Sequence, residues 1–413
     1  MKIKDIRIQN FRGITDLNLT LADEHMNVVV GVNGAGKTSV LDAMAILFSW
    51  LIARMKSSNA KGITPTEADV TVDGKKPCML SIATDDGHAW SVCKSKNFFA
   101  MKQQPSEYKT DLSGVSRLAE TIVKEADEGK GVPVMMYYPV ERAIASVPVN
   151  LHKAEPVIWD VYKDALSGNS NFRTLFEWYR RQEDVENEMI RDNSEFRDRS
   201  LECVRNAVKA FFPGFSELRV RRRPHQAMVV KKGDEVIEFS QLSQGEKCYL
   251  ALVCDIARRL SMANPNMNDP LLGDGIILID EVDLHLHPKW QAEVVSKLPK
   301  VFPNCQFFLT THSPLVLSDL RASQILPLDC GRRIDVAFNP YGKQAPSIMI
   351  NYFEMPQQRN RAVACDIEQA FDALRNGDHE TFNTLFEKLR GIIGMGDSDM
   401  VNLAVEAKRR GAL

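Results

Sequence analysis

The sequence predicts an α/β nucleotide-binding fold on a parallel sheet, with a peripheral β lobe, a helical insertion and a C-terminal helical tail. An apolar strand, MNVVV at 26–30, runs through a glycine loop, GVNGAGKTS, directly into an apolar helix. Two further strands, IILIDEVD at 276–283 and CQFFLTTHSP at 305–314, are apolar on both faces, as parallel strands covered by helices must be. The 413 residues, 44% hydrophobic and 26% charged, suffice for a large core and show no sign of disorder.

The opening stretch MKIKDIRIQNFRGITDLNLTL alternates apolar and polar residues on either side of Gly13, which predicts a β-hairpin. After the glycine loop, the longest uncharged apolar stretch, AMAILFSWLIA at 43–53, falls short of the roughly 20 residues of a membrane helix. It reads as a buried helix, and no membrane partner is expected. Residues 56–131 carry SSNAKG, DVTVDGKK and ATDDGHAW, a pattern of short strands and Asp-Gly turns on a surface lobe. The strand VPVMMYYP at 132–139 returns the chain to the core. A helical insertion follows at about 157–211, with dense mixed charge in FEWYRRQEDVENEMI and with Phe176, Tyr179 and Met189 on helical spacing. It is too short and irregular for a long coiled-coil arm. A second alternating pair at 216–240 leads into QLSQGEKCYLALVCDIARRL, a loop and then a helix. After Cys330, an αα-hairpin is expected around Gly377, with Phe371 and Leu374 before it and Phe382, Leu385, Phe386 and Leu389 after it. The predicted division is therefore a head over 1–330 and a helical tail over 331–413.

GVNGAGKT matches GxxxxGK(S/T), and the segment Asn33, Gly34, Ala35, Gly36, Lys37, Thr38 and Ser39 is expected to wrap phosphates. Glycines let backbone N–H groups converge, the helix N-terminus favours an anion, Lys37 reaches the β and γ oxygens, and Thr38 offers a hydroxyl to Mg²⁺. Hydrolysis also needs a carboxylate for the metal and a group to position or deprotonate water. The end of IILIDE supplies Asp280 for Mg²⁺ and Glu281 as the base.

In order and spacing, GVNGAGKTS, LSQGEK at 242–247, IILIDE with VD after it, and TTHSP resemble the P-loop ATPase head of the ABC superfamily. Ser243 precedes Asp280 by 37 residues and His312 follows it by 32. The resemblance implies Mg·ATP as ligand, LSQGEK as the signature sequence and His312 as the switch histidine at the γ-phosphate. It further implies a homodimer sandwiching two ATP molecules, with Ser243 and Gly245 of each copy completing the site of the other. Asp283 falls in the segment that crosses such an interface. His285 and His287 beside it lack a third ligand at any recognisable spacing for zinc. The chain departs from the pattern in two places. Where such heads place a glutamine after the first lobe, YYPVERA puts Glu141, Arg142 or neither near that place, and the signature carries Gln244 and Glu246 where exporters commonly have Gly and Gln.

The opening IQNFRGI resembles the RecF, OLD and SMC-like branch, in which the positions of Asn10 and Arg12 lie close to the nucleotide. Within that branch, YYPVERA, FEWYRRQEDVENE, DLHLHPKWQ and the short YG tail look most like the ATPases of bacterial anti-phage systems, namely the Septu ATPase PtuA and its retron-linked relatives. The tail lacks the acidic set of a two-metal nuclease, and Asp397 and Asp399 of GDSDM read as a polar turn. No HNH-like cluster is present either, so the resemblance implies a separate HNH-type nuclease subunit as partner.

Lysine and arginine number 52 against 54 acids, so no global attraction to nucleic acid exists and DNA contact needs a local patch. LRVRRRPHQAMVVKKG at 218–233, with Arg219, Arg221, Arg222, Arg223, Lys231 and Lys232, is the densest basic segment. Eight scattered cysteines without a CxxC pair, and no signal peptide, point to the cytoplasm. The residues also leave open a RecF-like repair ATPase without a nuclease partner and an ATP-binding scaffold with little turnover. A transporter motor is disfavoured by the NFRG opening and by the lack of a recognisable coupling helix.

Overall fold

The computed structural model describes residues 1–22, 25–72, 76–96, 108–140, 158–167, 172–355 and 359–412. They form two compact units, Met1–Ile348 and Met349–Leu413, so residues 331–348 stay with the head.

The first unit holds two principal sheets. One is antiparallel and joins β1 (Ile3–Phe11), β2 (Ile14–Thr20), β4 (Cys78–Thr84) and β5 (Ala89–Lys94) in the order β2-β1-β4-β5. The other contains β3 (Met26–Val30), β6 (Val134–Tyr138), β10 (Gly275–Ile279), β11 (Cys305–Thr311), β12 (Ile325–Asp329) and the short β13 (Arg332–Arg333), in the order β13-β12-β3-β11-β10-β6. From β12 to β6 every pairing is parallel. Strands β3, β6, β10 and β11 are buried at every position, as their unbroken apolar runs require. Buried Gln306 links the sheets: its side chain accepts from Ile3 N–H at 2.7 Å and donates to Ile3 C=O at 3.0 Å.

The helix Lys37–Lys56 is long and apolar enough to cross a membrane, yet most of it is buried in this unit. It packs against β1, β4, β6, β11 and the helix Ser113–Asp127, and contact on so many sides explains an apolar circumference without a lipid phase. Trp90 donates its indole N–H to Leu47 C=O at 3.1 Å. The helix Ser113–Asp127 lies in the lobe that turn signals alone marked as strands. It buries Val115, Leu118, Ala119 and Ile122, a 3.6-residue stripe in a stretch without a strong cap.

The helical insertion appears as Phe172–Asp192 and Arg199–Phe211, the second capped by Asp198 accepting from Leu201 N–H. Its charge is partly internal. Glu183 and Glu186 are buried, Glu186 meets Arg205 at 2.8 Å, and Glu183 accepts from Val220 N–H at 3.1 Å. The alternating segment becomes a three-stranded sheet of β7 (Phe215–Arg221), β8 (Ala227–Lys232) and β9 (Glu235–Glu238).

The second unit is a bundle of Arg361–Asn376, His379–Ile393 and Ser398–Arg410 around Leu374, Phe382, Phe386, Leu389, Met400 and Leu403. Gly377 ends the first helix in the left-handed conformation, at φ 74°. Asp397 caps the third helix and, with Asp399, holds Arg359 at 2.9 and 2.8 Å. Both acids therefore have structural work in the bundle.

Candidate nucleotide site

Strand β11 lies between β3 and β10, so the segments after these three parallel strands meet at the carboxyl end of the sheet, where open α/β sheets bind ligands. After β3 the chain turns through Gly31–Gly36, closed by Ala35 N–H donating to Val32 C=O at 3.1 Å. Gly34 and Gly36 have φ of 82° and 99°, a region that favours glycine. Gly36 is the N-cap of Lys37–Lys56, whose first turn carries no acid, which leaves its N–H groups and positive dipole end available to an anion. Asn33 and Gly34 are exposed at the tip, Ala35 is buried and Ser39 is half-buried. Lys37 donates to Gly31 C=O at 3.0 Å and Val32 C=O at 3.1 Å. Burial pulls its pKa down, while Asp280, Glu281 and Asp283 oppose that shift.

Thr38 donates its hydroxyl to Asp280 Oδ2 at 2.8 Å, which joins the helix start to the end of β10. Asp280 is 1% exposed; its N–H donates to Tyr138 C=O at 2.8 Å and its second carboxylate oxygen accepts from Thr310. Glu281 sits at φ 46°, a conformation that costs a non-glycine residue on the order of 1 kcal/mol. Its N–H donates to Thr310 Oγ1 at 2.7 Å and Val282 N–H to Thr310 C=O at 2.9 Å. Thr310 therefore fixes the turn that presents both acids.

His312 follows β11 directly. Burial and then Lys37 lower its pKa, and Asp283, Glu281 and Asp280 pull the other way. The loop carrying it is braced from two directions: Thr311 donates to Asp283, and Ser313 donates to Gln291 Oε1 at 2.7 Å. Lys37, Asp280, Glu281, Asp283 and His312 thus share one electrostatic neighbourhood.

Mg²⁺ keeps several waters and takes few protein oxygens together with substrate phosphates. The adjoining Thr38 hydroxyl and Asp280 carboxylate fit that demand, although no group of three or more His, Cys, Asp or Glu poised for a metal occurs among the described residues. His287 instead accepts from Lys289 N–H at 3.3 Å as a helix cap.

The signature residues have other immediate partners. Ser243 caps the helix Gln244–Ala263 in a reciprocal box with Glu246, and Glu246 also meets Lys232 at 2.7 Å. Gly245 is buried where a Cβ would lie 2.3 Å from His285 C=O. The signature therefore packs on the segment after β10. Arg12 is held by Asp42 and by Asp69 at 2.9 Å, with Tyr137 donating to Asp42 at 2.8 Å. Asn10 is buried and donates to Pro77 C=O at 2.9 Å. In the basic segment, Arg221 pairs with Glu238, Arg222 with Asp184 and Glu183, Lys231 with Glu217 and Lys232 with Glu246. Glu141 and Arg142 lie outside the described residues. The sequence reading missed Thr310, Gln291 and the Asp42–Arg12–Asp69 group. Consecutive threonines on an otherwise apolar strand were the available signal for the first.

The family profile "AAA ATPase domain" matches residues 1–132, and "AAA domain, putative AbiEii toxin, Type IV TA system" matches residues 148–318. The retron Vc95 probable ATPase of Vibrio cholerae serotype O1 biovar El Tor is 27% identical, spanning 93% of this chain and 85% of its own. The retron Ec83 probable ATPase of Escherichia coli is 28% identical over 99% and 87%, and the Septu protein PtuA of Bacillus thuringiensis 23% identical over 85% and 80%. The two AAA family profiles and the two retron relatives named as ATPases support an ATPase here. The chain is related to the anti-phage defence ATPases of retrons and Septu.

Proposed function

We propose that this chain is the ATP-hydrolysing subunit of a bacterial anti-phage defence complex in the cytoplasm. In this reading it dimerises head to head around two Mg·ATP molecules and regulates a separate HNH-type nuclease subunit. The observation that carries the reading is the convergence of Lys37, Thr38, Asp280, Glu281 and His312 at the carboxyl end of the parallel sheet. The retron and Septu relatives support the defence assignment.

In the proposed mechanism, amides of 34–38 and Lys37 bind and orient the phosphates. Thr38 and Asp280 would hold Mg²⁺, which when bound would neutralise phosphate charge. Glu281 accepts the proton of the water that bonds to the γ-phosphorus as the bond from that phosphorus to the β–γ bridging oxygen breaks and ADP leaves, and the neutral imidazole of His312 hydrogen-bonds the γ-phosphate. Across the dimer, Ser243 and Gly245 of the second copy cover that phosphate. Glu281→Gln keeps the shape and removes the base, so turnover should fall by about a hundredfold or more while nucleotide affinity holds. Steady-state hydrolysis and equilibrium binding test this, and unchanged turnover removes Glu281 from the role.

A further inference from the structure

A triphosphate entering this site meets one lysine amid the carboxylates of Asp280, Glu281 and Asp283. Arg12 adds little free charge because Asp42 and Asp69 already hold it. Anion binding here calls for further cations, and the hairpin of β12 and β13 carries two. Its turn is pinned to the phosphate loop. Gly331 N–H donates to Ala35 C=O at 3.0 Å. A Cβ on Gly31 would lie 2.2 Å from Leu328 C=O, and one on Gly331 would lie 2.6 Å from Gly13 C=O. Gly331, at φ 72°, is therefore wedged between the β1–β2 turn and the loop.

Arg332 and Arg333 follow at once, the Cα of Arg332 standing about 3.8 Å from that of Gly331. Both are exposed, and among the described residues neither has an acidic partner within ion-pair distance. Arg333 stands opposite Leu328 and Arg332 opposite Asp329, so the two side chains flank the hairpin. Most of the basic segment at 218–233, by contrast, is paired with acids.

We propose that Arg332 and Arg333 form a second phosphate-binding element that holds the nucleotide from the side of the hairpin. This rests on the nucleotide reading of the loop and extends it to residues outside the motif. A guanidinium keeps its charge at any working pH and presents a fork of donors matched to phosphate oxygens. The hairpin's attachment to Ala35 keeps that charge at the loop.

The test is the dissociation constant of a non-hydrolysable ATP analogue with Mg²⁺, measured for wild type, Arg332→Ala/Arg333→Ala, Arg332→Lys/Arg333→Lys and Lys37→Ala. The double alanine variant should bind on the order of tenfold more weakly, as expected for loss of a charge-assisted contact. The double lysine variant should keep most of the affinity, and neither should change the melting temperature without nucleotide. A loss below threefold in the double alanine variant overturns the proposal. So does weakened binding of double-stranded DNA with nucleotide affinity intact, which would assign the pair to a nucleic-acid surface. Failure of the nucleotide reading looks different: Lys37→Ala would then bind like wild type.

Discussion

Thr310 carries two loads, donating to Asp280 and accepting from the N–H of Glu281. Thr310→Val keeps the side-chain shape and strands both partners. It should destabilise the head by about 1–3 kcal/mol and lower turnover more than it raises KM, because the turn at Glu281 loses its anchor. Denaturant melts and steady-state kinetics check this. Gly31→Ala should also be costly, because its Cβ would meet Leu328 C=O at 2.2 Å. Overpacking of this kind costs about 1–3 kcal/mol, read as a lower melting temperature together with weaker nucleotide binding. His312 makes stability depend on pH. Its native pKa lies below the ordinary 6.5, so just below pH 6.5 the unfolded chain binds more protons than the native one. Stability therefore falls as the pH drops through that window, and this group contributes no slope above it. The acid-side decline in melting temperature should be shallower in His312→Gln. Lys37, Thr38, Asp280 and Glu281 were legible because each sits in a short run whose chemistry dictates residue type. The partners of Arg12 were not, since Asp42 and Asp69 come together only through tertiary packing.

Tyr138 joins two elements of the head. Its carbonyl accepts from Asp280 N–H at 2.8 Å, and its hydroxyl donates to Asp255 at 2.9 Å, inside the signature helix. Asp255 is buried with Arg258 and Arg259, and together those cations hold its carboxyl well below the usual range. Asp255→Asn would leave buried guanidinium charge without its counterion, at a cost of about 3–5 kcal/mol. Chemical denaturation measures that loss, and a change below 1 kcal/mol would rule out such a node. The strands were readable because fully buried parallel strands are continuous apolar runs. The helix Ser113–Asp127 was not, because Asp-Gly turns on its N-terminal side drew the whole lobe toward strands. Nor did composition reveal that Glu183 and Glu186 point inward, since a buried acid paired with Arg205 has the same letter as a solvated one.

For the whole molecule, each unit has a core of its own, and every residue of the proposed nucleotide site lies in Met1–Ile348. A ligand that binds only the native state stabilises the unit it binds. Calorimetry should therefore show Mg·ATP raising the unfolding transition of the head and leaving that of Met349–Leu413 where it is. In the proposed dimer Ser243 of one copy covers the nucleotide of the other, so trapping the nucleotide should trap the dimer. The most direct measurement is the molar mass in solution of Glu281→Gln with saturating Mg·ATP, compared with Glu281→Gln carrying Ser243→Arg. A head-to-head dimer gives a doubled mass for the first and not for the second; a first variant that stays monomeric while saturated with nucleotide rules the dimer out.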